Sequence, residues 1–350
     1  MKIAVVGCGA VGSFYGAKLA RARHEVHFLL RSDYDAVRRR GVRIQSPDGD
    51  FRVRPRCARR PEDIGPAELV LIGLKTTAND QFPQLLPPLV GPATGVLTLQ
   101  NGLGNEELLA CLFPAEQILG GLCFVCLNRV APGVARHLGY GQVALGEFQR
   151  RPASRTHDLA ARFAEAGVPC AVTDDLARAH WEKLVWNIPF NGLGVAGAAS
   201  PDALARLCSV PPLVEPQSRA GVSPAFPGLG SLPPSPPLPC LTTDKLLADA
   251  RWAQLVRELM LEVITAARAL GHDIPDAFAD QQIERTRTMG AYQASTLIDF
   301  ERGHPLELQS LFLEPLRQAT RVGVPTARLS ALCTALVVQS GGDICWNRKS

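Results

Sequence analysis

The sequence predicts an α/β protein in two parts, an N-terminal doubly wound sheet domain followed by an all-α domain. Three observations carry this expectation. The chain opens on a short apolar strand that runs into a glycine turn and an apolar-periodic helix. Short apolar strands then recur to about residue 147, and beyond about Asp174 strand signals nearly stop while helical periodicity takes over. At 350 residues, 46% hydrophobic and 20% charged, the chain can fill two cores and is neither fibrous nor wholly disordered. The expected domains are 1–174 and 175–350.

Lys2 to Val6 (KIAVV) is a β-branched apolar run followed at once by Gly7-Cys8-Gly9-Ala10-Val11-Gly12, then by a periodic segment from Phe14 to Ala22. The next strand is Glu25 to Leu30. A GxGxxG alone is weak, but between the strand and helix of a βαβ unit it marks a Rossmann-type dinucleotide turn. Gly7 is expected to permit the tight turn, Gly9 to let backbone approach a pyrophosphate, and Gly12 to let helix pack on strand, with the helix N-terminus facing the phosphates. After the second strand, where an NAD-binding protein usually carries an acid for the ribose hydroxyls, this chain has Arg31 and Ser32. An arginine pairs with a 2′-phosphate and a hydroxyl adds a hydrogen bond, so the expected cofactor is NADP(H).

Further strands are expected at Val42–Gln45, Phe51–Arg54, Leu69–Leu74 and Gly95–Leu99, with later ones at Gly120–Asn128 and Gly141–Glu147 closing the domain. Ligands of open α/β sheets gather at the carboxyl ends of strands, which puts Lys75 and Asn101 at the cofactor edge. Both also read as strand-end punctuation, Asn101 especially since a glycine follows it.

Helices are expected at Leu176–Asn191, Lys245–Leu270, Pro275–Met289, Glu307–Val322 and Arg328–Val338. In the first of these, within WEKLVWNIPFNG, Lys183, Asn187 and Asn191 recur every four residues. Each step of four advances a helix by only about 40°, so the three form one narrow polar stripe. Flanked by Trp181, Leu184, Val185, Trp186, Ile188 and Phe190, the stripe is either a hydrogen-bonded seam in a core or one wall of a cleft. Ser200 to Leu241 holds eleven prolines and four charged residues, a composition that excludes helix and interior strand and predicts an irregular loop.

Net charge of +4 is too slight to argue for nucleic acid, although ten arginines fall between Arg31 and Arg60. That tract is a solvated face or an attractant for an anionic ligand. Ten cysteines are scattered without a framework, Cys123 and Cys126 lie in an apolar run, and no His/Cys spacing suits zinc, so a reducing, cytoplasmic chain without metal is expected. The N-terminus imitates a signal peptide, but its glycines belong to the dinucleotide turn, and no later stretch is long enough to span a membrane.

Together with Lys75, the Gln100-Asn101-Gly102 turn, the WxKLxxNxxxN stripe and ASTLIDFERGHPLE, these features resemble the ketopantoate reductase family, the NADPH-dependent 2-dehydropantoate 2-reductases. The resemblance covers most of residues 1 to 338. It implies a helical domain like the C-terminal domain of 6-phosphogluconate dehydrogenase, and reduction of ketopantoate to pantoate in pantothenate and coenzyme A biosynthesis. It carries the cofactor contacts onto Gly7, Cys8, Gly9, Ala10, Val11, Gly12, Arg31, Ser32 and Lys75, with Asn101 between cofactor and substrate. Lys183 falls on the catalytic lysine, Asn187 and Asn191 on side chains that hold substrate hydroxyls, Ser295 on a substrate-contacting serine and Glu307 on an active-site glutamate that also borders the cofactor. In the family, NGLGVAGA would run almost directly into TTDKLLAD, so the block at 200–241 looks inserted, and the tail after Val338 departs from the pattern.

Reduction of a 2-oxo acid builds negative charge on the carbonyl oxygen and needs a cationic or protic donor there. Lys183 is the obvious donor. A reductase of another branched 2-oxo acid, or an NADPH-binding sensor without turnover, remains open beside the ketopantoate reading, as does a homodimer.

Overall fold

The computed structural model describes residues 1–197, 202, 204 and 240–341. Most of the proline-rich block and the tail from 342 onward lie outside the described residues. The chain divides into two compact units, Met1–His180 and Trp181–Ser350.

The first unit is built on β1 (Lys2–Val6), β2 (Glu25–Leu29), β3 (Val42–Gln45), β4 (Phe51–Val53), β5 (Arg56–Ala58), β6 (Ala67–Ile72), β7 (Val90–Thr98), β8 (Ile118–Ala131), β9 (Val134–Glu147) and β10 (Cys170–Val172). These form one ten-stranded sheet in the order β4-β3-β9-β8-β7-β6-β1-β2-β5, with β10 paired to β9. Strands β8, β7, β6, β1, β2 and β5 run parallel, while β8 and β9 form a long antiparallel hairpin that turns at Pro132-Gly133.

The near-continuous apolar sequence of the central strands follows from burial on both faces. Ile3 and Val5 of β1, with Leu69 and Leu71 of β6, enter one core with Phe14, Tyr15 and Leu19 of α1 (Ala10–Arg21) and Phe163 of α5 (Ser154–Glu165). Ala4, Val6, Val70 and Ile72 face the other way. They meet Phe82 of α3 (Phe82–Leu85) and Leu109 of α4 (Asn105–Ala110), with Leu86 and Leu89 alongside. Between β2 and β3 lies α2 (Tyr34–Arg40). Helices on both faces of a mainly parallel sheet give the doubly wound arrangement expected from the alternation.

The departures are local. The three-residue strands β5 and β10 are too short for a period-two signal, and α5 starts without any acid in its first turn. The last two sequence strands extend into the 14-residue arms of the hairpin, whose outer parts mix exposed Arg129, Val130, Arg136, Leu138 and Tyr140 with buried Ala135 and His137.

In the second unit, α6 (Leu176–Ala196, whose first five residues belong to the first unit) is followed by α7 (Thr243–Ala248), α8 (Ala250–Ala269), α9 (Ala277–Arg287) and α10 (Ser295–Glu301). A π turn at Gln309–Leu313, α11 (Glu314–Arg321) and α12 (Ala327–Gln339) complete the described helices. The single helix expected at Lys245–Leu270 is two. Asp249 adopts extended backbone and its carboxylate accepts from Arg251 N at 2.9 Å and Trp252 N at 3.3 Å, which ends α7 and caps α8. Leu241 N donates to the Gly194 carbonyl of α6 at 2.9 Å, and a methyl group on Gly197 would lie 2.7 Å from Leu241 Cγ.

Where β9 hands over to α5, the buried carboxylate of Glu147 accepts from Arg155 Nε at 2.9 Å, Arg150 Nη2 at 2.9 Å and Thr156 Oγ1 at 2.5 Å. Burial opposes its ionisation, yet the hydrogen bonds from Arg155, Thr156 and Arg150 outweigh burial and hold the carboxyl below the usual range. Its stabilisation is therefore complete above the unfolded-state value of about 4.3 and is lost as pH falls through the lower folded-state value. Glu147→Gln is expected to cost about 1–3 kcal/mol at neutral pH. In thermal melts across pH, the gap between variant and parent should close under acid conditions; a gap independent of pH would show that the charge is not what matters.

Candidate functional site

In the first unit, β7, β6, β1 and β2 lie side by side and parallel, so their carboxyl ends share one edge. From β1 the chain moves to β2 on one side and later to β6 on the other, so the strand order reverses beside β1, where such sheets take ligands. Residues 7–12 follow β1, Arg31 and Ser32 follow β2, Lys75 follows β6 and Asn101 follows β7, all at this edge.

Three glycines close the head of the site. Gly7 has φ +91°, and a methyl group there would lie 2.2 Å from Leu74 N. A methyl group on Gly12 would lie 2.2 Å from the Gly7 carbonyl oxygen, and one on Gly73 would lie 2.8 Å from Gly12 Cα. Gly9 differs: no atom comes within 4 Å of the place its side chain would take. The open position is where a ligand's phosphates can approach backbone, and the closed positions are where the protein meets itself. Helix α1 starts at Ala10 with no side-chain cap and no acid in its first turn, which leaves its first amides to an anion. Cys8 turns inward, its thiol 3.4 Å from the Leu29 carbonyl; burial first, then Cys57 and Asp33, push that thiol well up.

Beyond β2, Arg31 is exposed and Ser32 Oγ donates to Asp33 Oδ1 at 3.3 Å. Asp33 is an acid at the position that could serve ribose hydroxyls, but it is 6% exposed and engaged. Arg129 of β8 reaches it at 2.5 and 3.2 Å, and Gly133 N donates to it at 3.1 Å. With that carboxylate held by the β8–β9 hairpin, the exposed guanidinium of Arg31 favours an anion at this corner, and the residues fit a 2′-phosphorylated dinucleotide. Lys75 is exposed at the head of a 3₁₀ turn, Thr76–Gln81. The Asn101 carbonyl accepts from Asn105 Nδ2 at 3.1 Å.

In the second unit, α6 carries the polar stripe. Asn187 and Asn191 are 8% and 3% exposed, and Lys183, one turn earlier, is half-buried. Asn191 Nδ2 donates to Asn187 Oδ1 at 3.5 Å, while Asn191 Oδ1 accepts from Ser295 Oγ at 3.2 Å and Thr296 N at 3.0 Å. Asn187, Asn191 and Ser295 thus form one hydrogen-bonded set, and Asn191 also anchors the start of α10. Trp186 fixes another face of α6 by donating to Thr286 Oγ1 at 2.9 Å. Glu307 is 5% exposed on a separate segment, just before the π turn, and its carbonyl accepts from Leu311 N at 3.2 Å.

Asp33, Arg129, Asn79 and Asn105 were not among the residues singled out from the sequence, and Gln100 entered only as part of the Gln100-Asn101-Gly102 turn. The partners of Asp33 are 96 and 100 residues away, so no local pattern marks it. Asn105, four residues after Asn101, could have been found as a further amide crowding the same strand end.

Comparison with known proteins bears on both units. A family profile described as "Ketopantoate reductase PanE/ApbA" matches residues 3–150, and its companion "Ketopantoate reductase PanE/ApbA C terminal" matches residues 237–339. The chain is 36% identical over 342 residues to the 2-dehydropantoate 2-reductase of Nostoc sp., covering 95% of this chain and 92% of that one. It is 44% identical to the 2-dehydropantoate 2-reductase of Geobacter metallireducens, whose crystal structure it matches with a TM-score of 0.82 over 96% of this chain and 99% of that one. D-mandelate dehydrogenase shares the fold at 17% identity, with a TM-score of 0.77 over 98% and 99% of the two chains.

The glycine geometry separates two substitutions that look alike in sequence. Gly12→Ala must displace the Gly7 carbonyl and should cost about 1–3 kcal/mol of stability. Gly9→Ala, at φ −71° with open space around it, should leave stability within about 0.5 kcal/mol and weaken dinucleotide binding about tenfold or more. Thermal melts and fluorescence titration of both variants check this; a destabilised Gly9→Ala protein would contradict the open cradle.

Proposed function

Because the chain belongs to the ketopantoate reductase family, we propose that it reduces 2-dehydropantoate to pantoate with NADPH. The observation that carries the reading is the polar set on α6 and α10, in which Asn187, Asn191 and Ser295 are hydrogen-bonded one turn from Lys183. NADPH supplies the hydride that adds to the carbonyl carbon. As the carbonyl π bond breaks, charge gathers on its oxygen, and the Lys183 ammonium supplies the proton that completes the hydroxyl. A lysine is a compact acid whose protonation responds to burial, and the buried Glu307 is the group assigned to tune or replenish its proton.

The other roles follow from donors and acceptors. Asn101 takes the carboxylate or carbonyl end of the substrate, and so does Ser295 when its hydroxyl turns from Asn191 Oδ1 to the substrate oxygen. Asn191 Oδ1 already accepts from Ser295 and Thr296, so its amide serves chiefly to hold its neighbours, and Asn187 Nδ2 is the donor of the pair directed at a hydroxyl. Arg31 and Ser32 take the 2′-phosphate, Lys75 makes a second cofactor contact, and the backbone from Gly7 to Gly12 takes the pyrophosphate. The ten cysteines are scattered through the sequence without a disulfide framework, which supports a reducing, cytoplasmic setting.

NADPH oxidation measured with ketopantoate beside pyruvate and other 2-oxo acids tests the reading. Ketopantoate should be turned over fastest; preference for another acid would move the substrate, and no oxidation with any would end the enzyme reading. Lys183→Ala should lower kcat by about 10²–10⁴ while NADPH still binds. An unchanged kcat would remove Lys183 from the proton transfer. Arg31→Ala should weaken NADPH about tenfold to a hundredfold and leave NADH nearly unaffected. Equal loss for both cofactors would show that the 2′-phosphate is read elsewhere.

A further inference from the structure

At the carboxyl ends of β6 and β7, four side chains form a chain of hydrogen bonds that ends on the backbone of Asn101. Thr98 Oγ1 donates to Gln100 Oε1 at 3.0 Å, and Gln100 Nε2 donates to Asn79 Oδ1 at 2.7 Å. Asn79 Nδ2 then donates to Asn105 Oδ1 at 3.0 Å, and Asn105 Nδ2 donates to the Asn101 carbonyl at 3.1 Å. Thr98, Gln100 and Asn105 are 1%, 5% and 0% exposed.

Every member donates in the same direction. Each amide accepts on its oxygen and donates from its nitrogen, so no single carboxamide can turn over without setting two donors or two acceptors against each other. In a buried setting that mismatch leaves polar groups unsatisfied, and successive aligned bonds polarise one another. The orientation of the whole chain is thereby fixed from the Thr98 hydroxyl to the Asn101 peptide. The members also come from three places: Thr98 and Gln100 from the end of β7, Asn79 from the 3₁₀ turn headed by Lys75, and Asn105 from the first residue of α4.

We propose that Asn79, Gln100 and Asn105 are positioning residues for the reduction: they fix the peptide of Asn101, and with it the direction of its side chain, and brace that turn against the one that begins at Lys75. The proposal rests on the assignment of Asn101 to the substrate. Its energetic basis is specific to the polarity of the chain, not to the space the amides fill. Asn79→Asp keeps the shape and the acceptor for Gln100 but cannot donate to Asn105.

The test is a double-mutant cycle on Asn79 and Asn101, read as kcat and KM for ketopantoate, with NADPH affinity of the cofactor-free proteins from tryptophan fluorescence and stability from thermal melts. Asn79→Ala and Asn79→Asp should each lower kcat/KM about tenfold, with NADPH affinity within about twofold of the parent. Combined with Asn101→Ala, either should add nothing to the loss from Asn101→Ala alone. Full additivity, an Asn79→Asp enzyme that matches the parent, or an Asn101→Ala enzyme as fast as the parent each overturns the relay. If Asn79 variants fail to fold, Thr98→Val removes the first donor with its shape kept and enters the same cycle with the same expected outcome. A parent that turns over no 2-oxo acid is seen first and removes the assignment of Asn101 and the relay with it; an active parent with additive losses removes the relay alone.

Discussion

The fold of the first unit depends on one close approach, the meeting of Gly7, Gly12 and Gly73 where β1, α1 and the end of β6 come together. Only hydrogen atoms fit between these backbones. Because they touch, α1 lies against the sheet at its first turn, its free amides face the edge where the parallel strands end, and the turn carrying Lys75 starts beside the glycine loop. Successive side chains of the central strands point to opposite faces, as strand geometry dictates, and α1 covers one face while α3 and α4 cover the other.

Charge at that edge turns on a carboxylate that the protein itself engages. Asp33 would weaken the attraction of this corner for a phosphate if its carboxylate were free. Arg129 and Gly133 hold it instead, so one interaction both fastens the β8–β9 hairpin to the end of β2 and leaves Arg31 as the exposed charge there. Of the other nine arginines in the tract, four pair with carboxylates: Arg43 with Asp50, Arg56 with Glu25, Arg59 with Asp35 and Arg60 with Glu62. These exposed pairs balance part of the tract and leave it with an excess of positive charge.

What could be read from the sequence was what depends on neighbours along the chain. The glycine turn, Arg31 after β2, Lys75 and Asn101 at strand ends and the four-residue stripe on α6 all have local periodicity or position behind them. The stripe opened as either a core seam or a cleft wall, and Asn191 is partly the former: its oxygen is tied to Ser295 and Thr296, contacts that no spacing within α6 announces. The amide chain from Thr98 to Asn101 was hidden because Asn79 joins it across a gap of 21 residues, through the register of β6 on β7. The break at Asp249 has a local signal, since an aspartate inside an apolar-periodic run is a natural cap.

The bond from Leu241 N to the Gly194 carbonyl has a consequence for how this chain could have changed over time. The stretch between α6 and α7 leaves and returns at one place, with Leu241 seated against Gly194 and Gly197. When the two ends of a segment are already joined, lengthening it costs only chain entropy, about 0.6 kcal/mol for each doubling. A core built this way is nearly indifferent to what is carried between those ends, so the junction is a point at which foreign sequence can accumulate without selection on the rest of the unit.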